Sequence, residues 1–320
     1  MRVKMNVTTR LYATSLQRIV LTRPSSSVTN IFDREAKRKQ RNRAGGARDA
    51  EVYDYLKDQI AANICDRLSD IKRDFPLVLD VGCGRGHINK TIDKEIVGKV
   101  FQCDPAANML LGQVTSCDPS YRVIADCEFL PFEDDKFNLV TSNLSLHWHN
   151  DLPAAIKEVL RVLKPDGVFL GAMFSGDTLY ELRCSLQLAE LERNGGFSPR
   201  VSPFVEMRDA GGLLTGFSLT TIDVDDIIVN YPDMISLMYD LKGMGENSST
   251  THRAHMIPND VITAASAIYK EIYGDNDGTI PATFQILYLI GWKPDQSQAK
   301  PKPRGTATVS LKDLDNYLKR

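Results

Sequence analysis

Asp80-Val81-Gly82-Cys83-Gly84-Arg85-Gly86 stands directly after the apolar run Leu77-Val78-Leu79 and directly before a helical stretch. Three glycines at alternate positions let a chain turn sharply and bring bare backbone against a ligand, with no Cβ in the way. The spacing is G-x-G-x-G, and His87 stands where a dinucleotide-binding loop needs its last glycine. Such a loop suits a ligand with no pyrophosphate to dock on the helix N-terminus. Asp104, at the end of a second strand, can accept hydrogen bonds from both hydroxyls of a ribose. Asp126, after a third, can accept from an adenine amino group. Either acid alone reads equally well as a turn residue or a helix cap. Together with Asp80, Gly82, Gly84 and Gly86, they read as the site of a nucleoside-bearing cofactor that lacks phosphate.

Further chemistry gathers downstream. Asn143, Ser145 and His147 follow the fourth strand, where side chains emerge beside the reactive end of such a cofactor. His147 can serve as a general base or, with Trp148, simply pack the wall. His149-Asn150-Asp151 spells H-x-D two residues after His147, a fragment of a two-histidine, one-carboxylate iron site. The same Asn150 or Asp151 is equally placed to cap the helix that starts at Pro153. No residues show paired metal-ligand spacing, so no metal site is expected. Thr178-Leu179-Tyr180-Glu181 has the form of a capping box.

The elements that must position these residues alternate. Strands are expected at 77–81, 99–102, 121–125, 137–142 and 168–173. A helix follows the glycine loop to about Ile96, and another runs from Pro153 to Leu163. Before them, Val52, Leu56, Ile60, Ile64, Leu68 and Ile71 recur at helical spacing. This rhythm requires a parallel sheet covered by helices on both faces. Lys164-Pro165-Asp166-Gly167 is expected to turn the chain, with Gly167 in the left-handed region. Past Met173 come helices at 178–194, 232–242 and 258–273 and strands at 219–229 and 282–292, consistent with an antiparallel edge. The domain therefore spans 50–292, with helical insertions at 175–210 and 232–278 forming a lid over the substrate side. A Lys/Pro-rich tail follows at 293–320.

The ends of the chain differ from its middle. No Asp or Glu occurs before Asp33, while Arg2, Lys4, Arg10, Arg18 and Arg23 are spread among serines and threonines. That is the composition of a mitochondrial transit peptide over 1–30, or of a plain polar tail. Removing those five positive charges takes the formal charge of −2 to −7, which argues against a generic nucleic-acid binder. Residues 31–49 hold seven basic residues against three acidic ones. Such a segment can be a solvated helix, fold over the cofactor or face a membrane. The six cysteines form no C-x-x-C pair, as in a reducing compartment.

The glycine loop, Asp104-Pro-Ala-Ala-Asn-Met109-Leu110, Ala125-Asp126-x-Glu128-x-Leu130-Pro131-Phe132 and Leu163-Lys164-Pro165-Asp166-Gly167 resemble the class I S-adenosylmethionine-dependent methyltransferase superfamily. The implied fold is a Rossmann-like doubly wound sheet, and the implied cofactor is S-adenosyl-L-methionine. Other segments resemble a narrower family, the mitochondrial complex I assembly factors that act as protein arginine hydroxylases. They are Asn30-Ile-Phe-Asp33-Arg34 with Lys37-Arg38-Lys39-Gln40, Ser145-Leu146-His147-Trp148, Gly176-Asp177-Thr178-Leu179-Tyr180-Glu181-Leu182-Arg183, Gly196-Phe197-Ser198-Pro199 and Pro281-Ala282-Thr283-Phe284-Gln285. The resemblance implies a matrix enzyme, peripheral on the inner membrane, that hydroxylates an arginine on an iron–sulfur subunit of NADH dehydrogenase during assembly. A guanidinium substrate favours carboxylates, which makes Asp177 and Glu181 candidate arginine binders. Two other functions stay open: methyl transfer to a small molecule or acyl carrier thioester, and a non-catalytic assembly chaperone that keeps the cofactor site. Leu213-Leu214-Thr215-Gly216-Phe217 is shorter than the Leu-Leu-x-x-Ala-Gly-Phe usual in these families.

Overall fold

A computed structural model describes residues 30–112, 120–254, 256–300 and 305–306. The expected transit peptide, apart from Asn30, and most of the tail lie outside the described residues. Seven strands form one sheet: β1 (Phe75–Val81), β2 (Val97–Asp104), β3 (Ser120–Ile124), β4 (Phe137–Asn143), β5 (Leu163–Phe174), β6 (Ser218–Tyr231) and β7 (Ile280–Trp292). Their order is β3-β2-β1-β4-β5-β7-β6. The first five run parallel, and β7 pairs antiparallel with both β5 and β6. The antiparallel strand thus lies one place in from the edge, with β6 outermost.

Alternation along each strand sends side chains to two apolar layers. Val78, Leu139, Val168 and Leu170 pack under α2 (Tyr55–Ser69), α3 (His87–Thr91), α6 (Tyr180–Asn194), α8 (Met234–Met244) and α9 (Asn259–Tyr273). Leu79, Val81, Val140 and Phe169 face α5 (Leu152–Val162) and α7 (Met207–Leu213). Both faces are covered, as a parallel sheet requires.

Several local readings are corrected. The helix after the glycine loop stops at Thr91 rather than Ile96, since Ile92 is extended and the Asp93 carboxylate accepts from the Glu95 amide in a local turn. Residues 164–167 lie within β5, and the left-handed residue is Asp166 (φ 60°), not Gly167. Thr178 makes no capping box. Its hydroxyl donates to Gln285 O, and the N-cap of α6 is Leu179, itself left-handed at φ 56°. The basic segment forms α1 (Arg34–Gly45), capped by Asp33, whose carboxylate accepts from the Ala36 amide at 2.9 Å. α1 lies across the C-terminal ends of the strands, against α4 (Ala107–Leu111), with Ala44 packed on Ala106 and Met109.

Candidate functional site

The glycine loop leaves β1 at that same end. Gly82 and Gly84 take φ of 67° and 56°, the left-handed region where a side chain is strained. A Cβ on Gly82 would stand 1.9 Å from Ser145 Oγ, so this glycine lets the end of β4 press against the loop. A Cβ on Gly84 would instead stand in ordinary contact with Arg41 Nη2 (3.6 Å) and the His87 ring (3.7 Å), so on that side Arg41 and His87 pack against the loop. Leu144, between Asn143 and Ser145, is fully buried yet left-handed at φ 48°. Strain of that kind persists only where surrounding structure over-determines it.

Asp104 is wholly buried at the end of β2. Its Oδ1 accepts from the Ala106 amide (2.8 Å), and its Oδ2 accepts from the Gly84 amide (3.0 Å) and from Arg41 Nη2 (2.5 Å). Asp126 accepts from the Glu128 amide (2.9 Å) and from Arg34 Nη2 (2.5 Å), while Arg34 Nη1 donates to Glu128 (2.7 Å). Burial alone would raise the Asp126 pKa, but the Arg34 guanidinium outweighs it and holds the carboxyl below its ordinary value. The basic segment therefore covers the Asp104 and Asp126 carboxylates instead of standing in solvent. Beside Asp126 a cavity of about 240 Å³ is lined by residues that include Arg34, Lys37, Arg41, Ser145 and Trp148; Asp104, behind Arg41, does not line it.

Asp80 lies behind the loop, not on this cavity. Its Oδ1 accepts from Thr141 Oγ1 (3.2 Å) and its Oδ2 is buried without a partner. Burial pushes its pKa up to about 7. Gly86, left-handed at φ 81°, opens the five-residue α3. A helix so short offers little dipole to a pyrophosphate.

The candidates after β4 divide. Asn143 Nδ2 donates to Lys57 O (2.8 Å), leaving Oδ1 buried and unpartnered. His147 is buried among Trp148, Phe174 and Phe204 and accepts at Nδ1 from the Phe174 amide at 3.4 Å. Its proton then sits on Nε2, 3.6 Å from Glu246 Oε2 and beyond hydrogen-bonding reach. Burial drives its pKa down to about 4, against the opposing pull of Glu246. The geometry is that of a wall residue. His149 Nδ1 meets Leu146 O at 2.9 Å, and Asp151 caps α5 through the Ala154 amide at 3.0 Å. The H-x-D residues thus point to separate partners, and among the described residues no group of three or more His, Cys, Asp or Glu is arranged to hold a metal ion.

The two expected arginine binders are placed differently. Asp177 is exposed at the start of α6. Glu181 is 1% exposed and committed to Thr283, whose hydroxyl donates to Oε1 (2.5 Å) and whose amide donates to Oε2 (3.3 Å). The carboxylate that does stand at the site is Glu246, which lies in the expected lid and was not anticipated. Trp148 Nε1 donates to its Oε2 (2.7 Å), and Lys57 Nζ lies 3.0 Å from its Oε1. Burial would raise the Glu246 pKa, but Lys57, His147 and Lys37 together hold it well below the ordinary value. Lys37 Nζ donates to Gly245 O (3.1 Å) and Asn247 O (2.7 Å) and sits 3.3 Å above the Trp148 ring. This Lys37–Trp148–Glu246 group is a partition. Behind it lies a second cavity of about 460 Å³, walled by residues such as Leu182, Leu186, Phe204, Met238, Leu241 and Ile262. Only a surrounded carboxylate with no sequence motif marks Glu246, which is why spacing did not find it.

The donor set fits S-adenosylmethionine. Two carboxylates at strand ends match the hydroxyl and amino donors of an adenosine. The loop carries no pyrophosphate cradle that would argue otherwise.

A methyltransferase domain model matches residues 79–171. The arginine-hydroxylase NDUFAF5, mitochondrial, of Mus musculus is 55% identical over 297 residues, which cover 91% of this chain and 87% of that protein. The Homo sapiens protein of the same name is 53% identical over 292 residues, covering 91% and 85%. A malonyl-acyl-carrier protein O-methyltransferase of a Methylovorus species is 30% identical, covering 85% of this chain and 93% of its own. Among solved structures, YcgJ of Bacillus subtilis is 16% identical with a TM-score of 0.51, covering 75% of this chain and 99% of that one. That likeness concerns the fold alone.

Proposed function

This chain belongs to the NDUFAF5 family of mitochondrial arginine hydroxylases, and from that membership we propose that it is itself a protein arginine hydroxylase that binds S-adenosylmethionine. The observation that carries the reading is 55% identity across 91% of the chain, far more than the methyltransferase domain alone. Backbone at Gly82 and Gly84 would receive the cofactor, Asp104 its ribose hydroxyls and Asp126 its adenine amino group. When bound, S-adenosylmethionine supplies a sulfonium-activated methyl group and a positive charge. His147 stays neutral at physiological pH and, with Trp148 and Phe204, keeps water from the space between the two cavities. Lys37 and Lys57 hold the Met244–Asn247 turn by its carbonyls, which fixes Glu246 beside that space.

The target we propose is an arginine on an iron–sulfur subunit of respiratory complex I, modified during assembly in the mitochondrial matrix. Among the described residues no helix is long and apolar enough to cross a membrane, so attachment to the inner membrane would be peripheral. Residues 1–30 would be removed on import; N-terminal sequencing of matrix protein checks this, and an intact Met1 contradicts it.

Mass spectrometry of complex I subunits from cells with and without this protein tests the activity. Loss of one oxygen from an arginine in the deficient cells is the expected result. An unchanged subunit, with labelled methyl passing to a small acceptor or acyl carrier in vitro, replaces the reading with methyl transfer. Binding to the subunit with no product leaves a chaperone.

A further inference from the structure

The Asp104 carboxylate has about four lone-pair sites, and three are already filled, by the Ala106 amide, the Gly84 amide and Arg41. Gripping a ribose diol takes two. One occupant must therefore leave, and the two amides are fixed backbone of the loop and of the turn after β2. Arg41 is the movable one. Its guanidinium is buried, its Nε has no hydrogen-bond partner, and its Nη2 reaches Gly82 O only at 3.5 Å, so the Asp104 pair is its main anchor. At the neighbouring acid, Arg34 holds Asp126 from the same helix, one and a half to two turns away.

We propose that Arg41 is a latch, which stands in for the ribose hydroxyls on Asp104 when the cofactor is away and must exchange with them for it to bind. The inference rests on the assignment of S-adenosylmethionine to this site. A carboxylate as buried as Asp104 is costly without a counter-charge, so Arg41 stabilises the ligand-free protein while it competes with the ligand. The same helix reaches the second cavity: Gln40 donates to Ser248 O (3.3 Å), Asp33 pairs with Arg253 (3.2 Å) and Lys37 grips residues 245 and 247. Gln40, Glu246, Ser248 and Arg253 line that cavity. Exchange at Asp104 thus bears on a helix that also holds part of the wall of the second cavity.

Calorimetry with S-adenosylhomocysteine on the full chain tests this. Arg41→Met should bind about tenfold more tightly than wild type, because the competitor is gone. By linkage, Arg41→Met should lower Tm in the ligand-free protein, and the difference should shrink at saturating ligand, where the pair is already broken. Equal or weaker binding, or a Tm difference unchanged by ligand, overturns the latch; weaker binding would make Arg41 a ligand of the cofactor instead. If Arg41→Met does not fold, Arg41→Gln carries the same test, with tighter binding expected and equal or weaker binding contradicting it. Failure of wild type and variants alike to bind would remove the cofactor assignment and the latch with it, whereas intact wild-type binding with no gain in the variants removes the latch alone.

Discussion

The two cavities are built of opposite materials. Around the first, Arg34, Arg41, Asp104, Asp126 and Glu128 meet in ion pairs, and the acids hang from strand ends and the loops just beyond them. Around the second, Leu182, Leu186, Met238, Leu241 and Ile262 project from helices added to the sheet. Lys37, Trp148 and Glu246 stand between them. The difference separates two tasks. On the proposed reading, a constant small ligand would be held by directed polar contacts on the rigid sheet, and the variable part of the reaction would be left to a packed shell whose shape is set by helix placement.

Breaking the partition should have the largest effect. Glu246→Ala leaves the buried Lys57 ammonium without its counter-charge, with Met244 O as its remaining acceptor, and the Trp148 indole N–H without its acceptor, which should cost about 3–5 kcal/mol in urea unfolding. A loss below about 1 kcal/mol would mean that water reaches the pair and that the cavities are one.

The His147 wall gives the next effect, and it depends on pH. Burial holds the folded imidazole near a pKa of about 4, whereas an unfolded histidine titrates near about 6.5. As pH falls from 6.5 to 4 the unfolded chain takes a proton that the native state refuses, so stability drops by roughly 3 kcal/mol across that window. His147→Phe should flatten this slope in denaturation curves at several pH values. An unchanged slope would place His147 in contact with solvent.

Two milder substitutions sharpen the contrast between the sides. Leu182→Ala should lower stability by about 2–3 kcal/mol, at the low end for a core leucine because it borders a cavity, and leave cofactor affinity unchanged. Asp104→Asn should weaken S-adenosylmethionine binding by about 2 kcal/mol in calorimetry, the scale of hydrogen bonds to a charged group. If the leucine change alters cofactor binding as much as the aspartate change does, the division of tasks fails.

The sheet was legible because its signals are local. Apolar runs such as Leu77–Leu79 and Val168–Met173, with helical periods between them, leave little choice of architecture, and glycines at φ near 60° announce themselves by type. The positions of Asp104 and Asp126 were legible for the same reason, since Asp104 ends β2 and Asp126 comes two residues after β3. Long-range pairing was not. Nothing in the residues 34–43 says that two of their arginines close over acids 63 and 92 positions away. Glu181 misled because a capping-box pattern cannot report that its carboxylate turns to Thr283, 102 residues on. Glu246 was invisible because its meaning lies in Lys57 and Trp148, which only the packed fold brings to it.

A crystal structure of the full chain grown with S-adenosylhomocysteine tests the site most directly. The account predicts the adenosyl group against Gly82 and Gly84, with both ribose hydroxyls on Asp104 and the adenine amino group on Asp126. Ligand bound elsewhere, or a site still closed by Arg41 at saturating concentration, would contradict it.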